Sequence, residues 1–490
     1  MKILILETVA LKPHLETSGE IAISYSENGH DVTWSWLGYQ LPWTDWDIPL
    51  ITKLFGSKLK KRIINFQLLL KTKNISIDQA DEKSIKIDCK SFKHLNSFSG
   101  SLNDLKCFEI NGVPIGIGVA SSLISYFGDS NFNPVKHRRI TRKSLISSYL
   151  VYLRALSLIE KYKPDEVITF NGRFATPRAI VLAAQKHNMK ILRHERGSSY
   201  MRYEVFDENI HDFNYISRRV IEFWEKSTSD HRERSGHEFF IRKRRGDGIA
   251  WHSLVSEQKR GFFPDKVVGK KRIVYFSSSE DEFAAIADIT SSGAWNDQVR
   301  VIRTLADACN HLGNFELIIR VHPNVATKSK QSQLKWNNLV VPNALLIKSV
   351  DTTDSYALLD SCDFVATFGS TIGLEAVYWG KPLLLFGPAP YSNSVIAFEP
   401  RTIEDIINFL KTDLLLFDFN MRKMLCLPYG YYYLCHGTLY KNYSPKSLSQ
   451  GRFLDQELTW KSGAIIFFEK LRLKNFYYKF KKALGLRNGF

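Results

Sequence analysis

Residues 365–386 of this chain are VATFGSTIGLEAVYWGKPLLLF. Their order predicts a buried strand, the turn Gly369-Ser370-Thr371, a helix, a Gly-Lys-Pro stop and a second buried strand, which together make one βαβ unit. The N–H groups at a helix N-terminus and the two hydroxyls suit an anion. Glu375 follows in the first turns of the helix, where it can reach a hydroxylated group attached to that anion. A phosphate beside a sugar hydroxyl is the outline of a nucleotide; the alternative is an ordinary turn capped by Ser370.

Another buried strand is predicted upstream, in FELIIRVHPN at residues 315–324, and it ends in Arg-Val-His-Pro. Ligands of open α/β sheets bind beyond the carboxyl ends of the strands, so Arg320 and His322 lie where a ligand is expected. Pro323 stops the strand because it has no N–H to donate to the ladder. Arginine and histidine both donate to phosphate or to a base carbonyl, which predicts that they serve the same nucleotide site. The alternative is a histidine that only caps local backbone.

A further strand is predicted at residues 272–276, RIVYF, and three serines and three acids follow it. Its pattern is that of the strand with which the same domain begins. Ser278 lies in a turn that is compatible with phosphate. The carboxylates of Glu280 and Asp281 would repel an anion, so we expect them to serve an acceptor, a base or a metal. The alternative is a helix N-terminus whose acids interact favourably with the helix dipole.

The N-terminal half also predicts an α/β domain. Residues 1–36 show a strand–helix–strand pattern of the Rossmann kind without Gly-x-Gly-x-x-Gly, and residues 39–135 are expected to be irregular. Further strands are predicted at residues 166–170 and 189–193. Polar residues follow these two strands, and by the same rule we expect them to face the cleft between the domains: Asn171, Arg173, Glu195 and Arg196.

These motifs resemble bacterial capsule and surface-polysaccharide glycosyltransferases with the GT-B fold. Within that class, the Arg-Val-His-Pro and Gly-Ser-Thr-Ile-Gly segments are most similar to a group with a His-Pro motif and a Ser/Thr-rich motif. This group includes transferases of Kdo and sialic acid from CMP-activated donors. The resemblance is strongest over residues 270–390. It implies that His322 contacts the nucleotide and that Ser370 and Thr371 hold the phosphate.

The resemblance leaves the catalytic base open. In the sialic-acid branch an acidic motif followed by glycine supplies the base, whereas residues 280–283 (EDEF) lack that glycine and lie in the other half of the molecule. The acceptor hydroxyl needs a carboxylate or a histidine within hydrogen-bond reach. Our candidates are Glu195, Asp281, Glu280 and Glu16. The alternative for Glu195 is a structural ion pair with a neighbouring arginine.

Glycosyl transfer explains why these residue types occur together. Negative charge develops on the nucleotide leaving group, so helix N–H groups, hydroxyls, His322 and Arg320 are expected to stabilise it. No metal and no cofactor other than the nucleotide-sugar substrate is then required. Asn171, Arg173 and Arg196 are expected to bind the acceptor or a carboxylated sugar, since a guanidinium pairs with a carboxylate through two hydrogen bonds.

Composition restricts the remaining classes of protein. A hydrophobic fraction of 44% in 490 residues predicts two or three domains with full cores. The six cysteines include no C-x-x-C pair, which argues against a zinc ribbon or a disulfide scaffold and favours a reducing compartment. We see neither a secretory leader nor a run of about 20 apolar residues, so the expected location is the cytoplasm.

The chain is basic, with a net charge of +17 from 67 Lys and Arg against 50 Asp and Glu. Basic and apolar residues are mixed at residues 50–73 and 470–490, as in helices that lie on anionic membranes. This pattern predicts attachment to the inner face of the plasma membrane. No nucleic-acid-binding motif is found, which argues against a nucleic-acid partner. The alternative is a solvated basic tail.

The whole sequence predicts an α/β, GT-B-like fold with two Rossmann-like domains facing a cleft. Residues 1–265 are the expected acceptor-side domain, with the irregular insertion at about 39–135. Residues 271–400 are expected to bind the nucleotide sugar. Residues 401–490 are expected to form a helical, aromatic and basic tail.

The favoured function is transfer of a sugar from a nucleotide-activated donor, for example CMP-Kdo, to a growing capsule or O-antigen polysaccharide or its lipid-linked precursor. One alternative is a UDP-sugar 2-epimerase-like or CDP-polyol phosphotransferase enzyme; the basic tail argues against the epimerase. Another is a non-catalytic polysaccharide assembly factor. The presence of His322, Ser370 and Glu375 argues against loss of catalysis.

Overall fold

The computed structural model describes residues 1–44, 49–78, 85–247, 258–280, 284–286, 294–414, 417–447 and 450–458, with only the backbone considered at 49–58. The chain forms two compact units, each built on a mainly or wholly parallel sheet. Unit one comprises Met1–Asn209, Ala284–Ala287 and Gly437–Phe490, and unit two comprises Ile210–Phe283 and Asp288–His436.

Unit one surrounds a seven-stranded sheet with helices. Its helices are α1 (His14–Glu27), α2 (Pro49–Lys71), α3 (Cys89–Ser97), α4 (Leu102–Lys106), α5 (Gly116–Phe127), α6 (Arg138–Tyr162) and α7 (Ala175–Lys186). Its strands are β1 (Lys2–Glu7), β2 (Asp31–Trp36), β3 (Ser76–Asp78), β4 (Glu166–Phe170), β5 (Lys190–Arg196), β6 (Arg202–Phe206) and, from the end of the chain, β12 (Thr438–Leu439), β13 (Tyr443–Ser447) and β14 (Gln450–Phe453).

The strand order of this sheet is β12-β6-β5-β4-β1-β2-β3. Strands β1 to β5 are parallel, β6 is antiparallel to β5, and β12 is antiparallel to β6. The parallel part has the order of a Rossmann-like sheet. Ligands of such sheets bind beyond the carboxyl ends of the strands at the point where the winding direction reverses. That switch point lies between β1, which ends at Glu7, and β4, which is followed directly by Asn171.

Both faces of the unit-one sheet are covered, as a parallel sheet requires. Alternate residues of β1 point to opposite sides, so that Leu4 and Leu6 pack with α5, α6 and α7. Ile3 and Ile5 pack with α1 and α2 on the other side. The near-continuous apolar strands of the sequence are explained by burial on both faces.

The structure corrects the expectation that residues 39–135 are irregular, because they contain α2, α3, α4 and α5. Two of these helices are short and depend on local caps. The side chain of Asp88 accepts from the N–H of Ser91 at the start of α3, and Ser101 and Asp104 form a capping box on α4. Such caps stabilise helices too short to show a clear hydrophobic period.

The predicted membrane-facing segment at residues 50–73 forms most of α2. Its residues Ile63, Phe66 and Leu70 lie in the core of unit one. Arg62 is also buried and pairs with Glu16, so Glu16 is a buried structural group and not the accessible base that we considered. This face of α2 therefore packs inside the unit and is not exposed to a membrane. Within the described ranges, every helix is too short or too polar to span a bilayer.

Unit two has a five-stranded, wholly parallel sheet in the order β11-β10-β7-β8-β9. The strands are β7 (Lys271–Phe276), β8 (Phe315–Arg320), β9 (Ala344–Ile347), β10 (Phe364–Thr367) and β11 (Leu383–Leu385). The helices are α8 (Phe213–Glu225), α9 (Ser229–Arg245), α10 (Gln298–Leu312), the 3-10 helix Pro323–Thr327, α11 (Lys330–Asn337), α12 (Ser355–Ser361), α13 (Thr371–Tyr378), α14 (Ile403–Lys411) and α15 (Phe419–Cys435).

The four strands predicted from the sequence motifs are all confirmed, as β7, β8 and the two strands of the β10–α13–β11 unit. This sheet repeats the winding of the first, with its switch point between β7 and β10. The fold class, α/β with two Rossmann-like parallel sheets, is therefore confirmed.

The boundary between the units falls at Asn209, earlier than the predicted residue 265. The reason is that α9 packs closely on α15. A Cβ atom added at Gly430 of α15 would lie only 2.5 Å from the carbonyl oxygen of Gly236 in α9.

The end of the chain also differs from the predicted helical tail, because Gly437 to Phe453 contribute strands to unit one. Residues 459–490, the predicted basic tail, lie outside the described residues.

Candidate functional site

The turns that follow three strands of unit two are tied together at the carboxyl edge of its sheet. Ser278, after β7, donates its hydroxyl to the carbonyl of Phe368, after β10, at 2.6 Å. The hydroxyl of Ser277 accepts the backbone N–H of His322, after β8, at 2.8 Å. The ends of β7, β8 and β10 therefore meet at one place, which is the switch point of the sheet. This is where an open α/β sheet binds its ligand.

The Gly369-Ser370-Thr371 turn leads from β10 into α13. Gly369 has a φ of +80°, a left-handed conformation that glycine adopts without a Cβ penalty. Ser370 is the N-cap residue, but among the described residues its hydroxyl does not cap α13; its carbonyl accepts the hydroxyl of Tyr391 at 2.5 Å. Ser370 is half-buried and Thr371 is exposed. The N-terminus of α13 therefore presents the backbone donors and hydroxyls that suit a phosphate.

His322 caps the 3-10 helix that begins at Pro323. Its Nδ1 accepts the backbone N–H of Asn324 at 3.1 Å. A neutral imidazole that accepts at Nδ1 carries its proton on Nε2. The local cap that we considered as an alternative is therefore present, and it fixes Nε2 as a hydrogen-bond donor. Pro323 occupies the first position of the 3-10 helix, where its missing N–H costs nothing.

The structure places Arg320 differently from the prediction. Its guanidinium is buried and donates to the carbonyls of Lys348 at 2.6 Å and Asp351 at 3.2 Å, in the loop after β9. Arg320 therefore braces this loop and does not present its charge at the strand end. Ser278 is likewise buried, and its hydroxyl positions the turn after β10.

Glu375 is also placed differently, because it is the fifth residue of α13 and points into unit two. It is only 4% exposed, and its carboxylate accepts the hydroxyl of Tyr356. Burial raises the pKa of Glu375, although the charge of Lys243 acts in the opposite direction. This burial contradicts the predicted contact with a sugar hydroxyl and indicates a structural role.

Replacing Glu375 with glutamine is expected to preserve donor binding and to leave stability at neutral pH equal or higher. The amide oxygen still accepts from Tyr356, and no buried charge has to form. When a carboxyl has a raised pKa in the folded state, the free energy of unfolding of the protein falls as pH rises above the unfolded pKa of that carboxyl, about 4.3. Denaturant unfolding between acidic and neutral pH should therefore show a smaller fall for the variant. An equal fall, or loss of nucleotide binding, would contradict the structural role.

The predicted acidic group after β7 is only partly described. Both carboxylate oxygens of Glu280 accept from the Nζ of Lys335, at 2.7 and 2.8 Å. Both oxygens are therefore occupied by the ion pair with Lys335, which argues against Glu280 as the base. Asp281, the neighbouring candidate, lies outside the described residues.

Two further serines belong to this site and were missed from the sequence. Ser277 accepts the N–H of His322, as described above. The hydroxyl of Ser279 is buried and finds no hydrogen-bond partner within the described parts of the chain. The run of three serines after β7 was the available signal.

Unit one gathers a second polar group at the carboxyl ends of β4 and β5. Asn171 has a φ of +51°, and its N–H donates to the carbonyl of His194 at 3.0 Å. Its side-chain amide donates to Oε2 of Glu195 at 2.7 Å, and the N–H of Arg196 donates to Oε1 at 3.0 Å. The Glu195 side chain is 25% exposed. A carboxylate that is oriented by two donors and still accessible has the geometry of a general base.

The two arginines predicted for this group are held in place by other contacts. Arg173 donates to the hydroxyls of Ser121 at 2.7 Å and Ser125 at 3.0 Å, both on α5. Its guanidinium also lies over the ring of Phe174. Burial lowers the pKa of Arg196, and the charge of Glu195 opposes this shift. Asn171, Glu195 and Arg196 are therefore brought together, whereas Arg173 is braced against α5.

His14 is a neighbour of Glu195 that the sequence patterns missed. Its Nδ1 lies 3.7 Å from Oε1 of Glu195 and has no hydrogen-bond partner among the described residues. Burial, and then the charges of Arg196 and His194, lower the pKa of His14 well below its usual range. The imidazole is therefore neutral at neutral pH. A neutral imidazole beside a carboxylate can form a hydrogen bond with a bound hydroxyl, but its lowered pKa makes it a poor proton acceptor.

A buried acid–imidazole pair lies at the switch point of the same sheet. Nε2 of His194 and Oε1 of Glu7 are 2.6 Å apart, and both side chains are fully buried. Burial raises the pKa of Glu7. The strand-end rule would have identified both residues, since Glu7 ends β1 and His194 precedes Glu195.

Within the described residues, no group of three or more His, Cys, Asp or Glu side chains is arranged to hold a metal ion. Metal independence therefore stays a prediction.

The sequence of unit two matches a known family over residues 287–429, and the family is described as "Capsule polysaccharide biosynthesis protein". The matched region contains His322 and the Gly369-Ser370-Thr371 turn, two of the motifs on which the resemblance was based. The match confirms the resemblance to capsule polysaccharide biosynthesis proteins over this part of the chain. No curated protein matches the sequence.

Solved structures with two-domain α/β folds are similar only at a low level. The beta Kdo 2,4 transferase of Thermosulfurimonas dismutans KpsC is 16% identical with a TM-score of 0.36, covering 55% of this chain and 79% of that one. The S. aureus MnaA-UDP co-structure is 11% identical with a TM-score of 0.29, covering 88% and 92%. The UDP-GlcNAc 2-epimerase of Neisseria meningitidis is 12% identical with a TM-score of 0.26, covering 88% and 96%.

Proposed function

We propose that the protein is a glycosyltransferase of capsule or related surface-polysaccharide biosynthesis. It moves a sugar from a nucleotide-activated donor to a growing polysaccharide or its lipid-linked precursor. The observation that carries this proposal is the meeting of the serine turn after β7, His322 and the Gly369-Ser370-Thr371 turn at the switch point of unit two. The family match covers two of these three segments.

In this proposal unit two binds the donor. The phosphate lies at the N-terminus of α13, where backbone N–H groups and the hydroxyls of Ser370 and Thr371 donate to it. Nε2 of His322 donates to the nucleotide. Each preorganised donor aimed at charge that develops on the leaving group is worth about 3 kcal/mol in the transition state. We propose a CMP-activated sugar such as CMP-Kdo, on the strength of the His-Pro and Ser/Thr motifs.

Unit one supplies the base in this proposal. Glu195 removes the proton from the acceptor hydroxyl, and Asn171 and the N–H of Arg196 hold its carboxylate in position. Neutral His14, next to Glu195, offers a hydrogen bond that helps to position that hydroxyl. No metal is needed, because helix donors and side chains stabilise the leaving group.

We further propose that the protein works in the cytoplasm, at the inner face of the plasma membrane. The net charge of +17 supports this location, because anionic lipids attract basic protein surfaces. A lipid-linked acceptor would be found at the same surface.

The donor assignment is tested by thermal unfolding of the purified protein with CMP, CDP, UDP, GDP and ADP, each with and without Mg²⁺. A ligand at one hundred times its Kd stabilises the folded state by about 2.7 kcal/mol, which is readily measured. A CMP-selective shift without Mg²⁺ is expected. A UDP- or GDP-selective shift would overturn the CMP donor, and the absence of any shift would overturn the nucleotide site.

Replacing His322 with alanine is expected to weaken binding of the nucleotide about tenfold or more, because one donor to a charged ligand is lost. Titration of the nucleotide by calorimetry measures this change. The matched control is His311→Ala, which removes an exposed histidine from the last turn of α10 in the same unit. If both variants bind the nucleotide as the unaltered protein does, His322 has no role in donor binding.

A further inference from the structure

Residues 259–270 of unit two, KRGFFPDKVVGK, form an exposed segment that the proposed site does not use. We refer to it as the basic–apolar segment. Phe262 is 45% exposed, Val267 is 49% exposed and Val268 is 98% exposed. Phe263 is exposed as well. Large apolar side chains grouped in this way on a surface indicate a contact with another apolar phase or molecule.

Two tight turns shape the segment. In the first, the N–H of Phe262 donates to the carbonyl of Lys259 at 3.0 Å, and Gly261 has a φ of +76°. In the second, the N–H of Lys270 donates to the carbonyl of Val267 at 3.2 Å, and Gly269 has a φ of +77°. Val268 occupies the tip of the second turn. The exposure of its side chain is therefore a property of a defined turn.

The segment is fastened to the body of unit two from below. The guanidinium of Arg272 is fully buried and donates to the carbonyls of Pro264 at 3.0 Å and Asp265 at 2.6 Å. The N–H of Lys259 donates to the carbonyl of Thr352 at 2.7 Å. A surface that is already ordered loses little conformational entropy when it binds, so these anchors favour docking.

The charges around the apolar residues select the partner. The segment carries four basic side chains and one carboxylate, that of Asp265. Lys266 forms an ion pair with Asp363, the residue before β10. Lys259, Arg260 and Lys270 form no ion pair with any described residue, and they flank the apolar side chains on both sides. Basic residues around exposed Phe and Val complement a surface with negative headgroups above an apolar interior.

We propose that the basic–apolar segment docks on an anionic lipid surface. Val268 and its apolar neighbours enter the headgroup region, and the basic side chains contact lipid phosphates. A second copy of this chain is a poorer occupant, because two chains of net charge +17 repel each other. The inference rests on the membrane location in the proposed function, but it does not depend on sugar transfer.

The test uses the full chain and sedimentation with vesicles of two compositions, equimolar phosphatidylcholine and phosphatidylglycerol, or phosphatidylcholine alone. Replacing Val268 with aspartate is expected to weaken binding to the anionic vesicles about tenfold, because the loss of one buried valine is worth about that factor. The matched control is Val340→Asp, which changes another valine of unit two that is 79% exposed but lies outside the segment. The control is expected to bind as the unaltered protein does.

A second pair of variants tests the charges. Lys259→Glu combined with Lys270→Glu should weaken binding to anionic vesicles at least tenfold, and the defect should shrink as salt is raised. The control, Lys330→Glu combined with Lys411→Glu, makes the same change in net charge at other exposed positions of unit two. If both pairs lose equal affinity, binding depends on net charge alone and the proposed segment is not the contact.

Three other results would overturn the inference. These are equal binding of Val268→Asp and Val340→Asp, equal binding of the unaltered protein to both vesicle types, and a change of oligomeric mass in Val268→Asp, which would indicate a second copy as the occupant. Nucleotide-induced stabilisation is measured in parallel. A variant that loses vesicle binding and keeps this stabilisation supports the inference. Failure of the unaltered protein to bind any nucleotide would overturn the proposed function and leave the lipid result standing.

Discussion

Replacing Glu195 with glutamine is expected to lower the rate of sugar transfer about a thousandfold, because general bases contribute on this scale. The amide keeps the shape of the side chain and can accept one of the two present hydrogen bonds, but it cannot take a proton from an acceptor hydroxyl. The measurement is kcat with the donor found by nucleotide screening, together with thermal unfolding to show that the fold is intact.

The control is Glu280→Gln, because both residues were predicted as bases from the sequence. Glu280 is held by Lys335 through both oxygens, so its replacement should leave kcat near that of the unaltered protein. An active Glu195→Gln variant with an inactive Glu280→Gln variant would reverse our assignment of the base.

Replacing Arg272 with methionine is expected to destabilise unit two by about 3–5 kcal/mol, the usual cost of breaking a buried ion pair from one side. The guanidinium is fully buried; it donates to Glu316 at 2.6 Å and to the hydroxyl of Ser361 at 2.9 Å, in addition to the two carbonyls below the basic–apolar segment. Methionine fills much of the space but leaves these acceptors without a donor. Denaturant unfolding followed by fluorescence measures the change.

The matched control for Arg272 is Lys266→Met, which breaks a neighbouring ion pair with Asp363 that is partly exposed to solvent. Such pairs contribute at most about 1 kcal/mol. Equal losses of stability in the two variants would mean that the buried hydrogen bonds of Arg272 do not stabilise unit two as we describe.

The sequence predicted the fold best where a local pattern of residues fits only one backbone structure. Runs of aliphatic residues with short polar turns correctly placed β7, β8, β10 and β11, because strands buried on both faces must be almost wholly apolar. The turn at Gly369 was recognisable because glycine tolerates the left-handed conformation found there. These features depend on local chemistry and on nothing distant in the chain.

The features that the sequence could not show depend on distant partners. Nothing near Glu375 in the sequence reveals Tyr356, which makes this carboxylate a buried structural group. Arg320 was expected at the ligand, but a loop about thirty residues later takes its hydrogen bonds. His14 gains its significance only from Glu195, which the sheet brings within 3.7 Å. The short helices α3 and α4 are a different case, because they were overlooked although their N-caps, Asp88 and Ser101, lie next to them in the sequence.

The return of the chain to unit one after Gly437 has a consequence for biosynthesis. Several contacts of unit one can form only after the last part of the chain has been translated. They are the antiparallel pairing of β12 with β6, the hydrogen bonds from the N–H groups of Lys441 and Asn442 to Glu20 at 2.7 and 2.8 Å, and the hydrogen bond from Arg62 to the carbonyl of Leu458. Domains usually fold in the order in which they leave the ribosome. Here the sequence of unit two emerges whole while unit one still lacks its final strands, so the half of the protein that is made first is completed last.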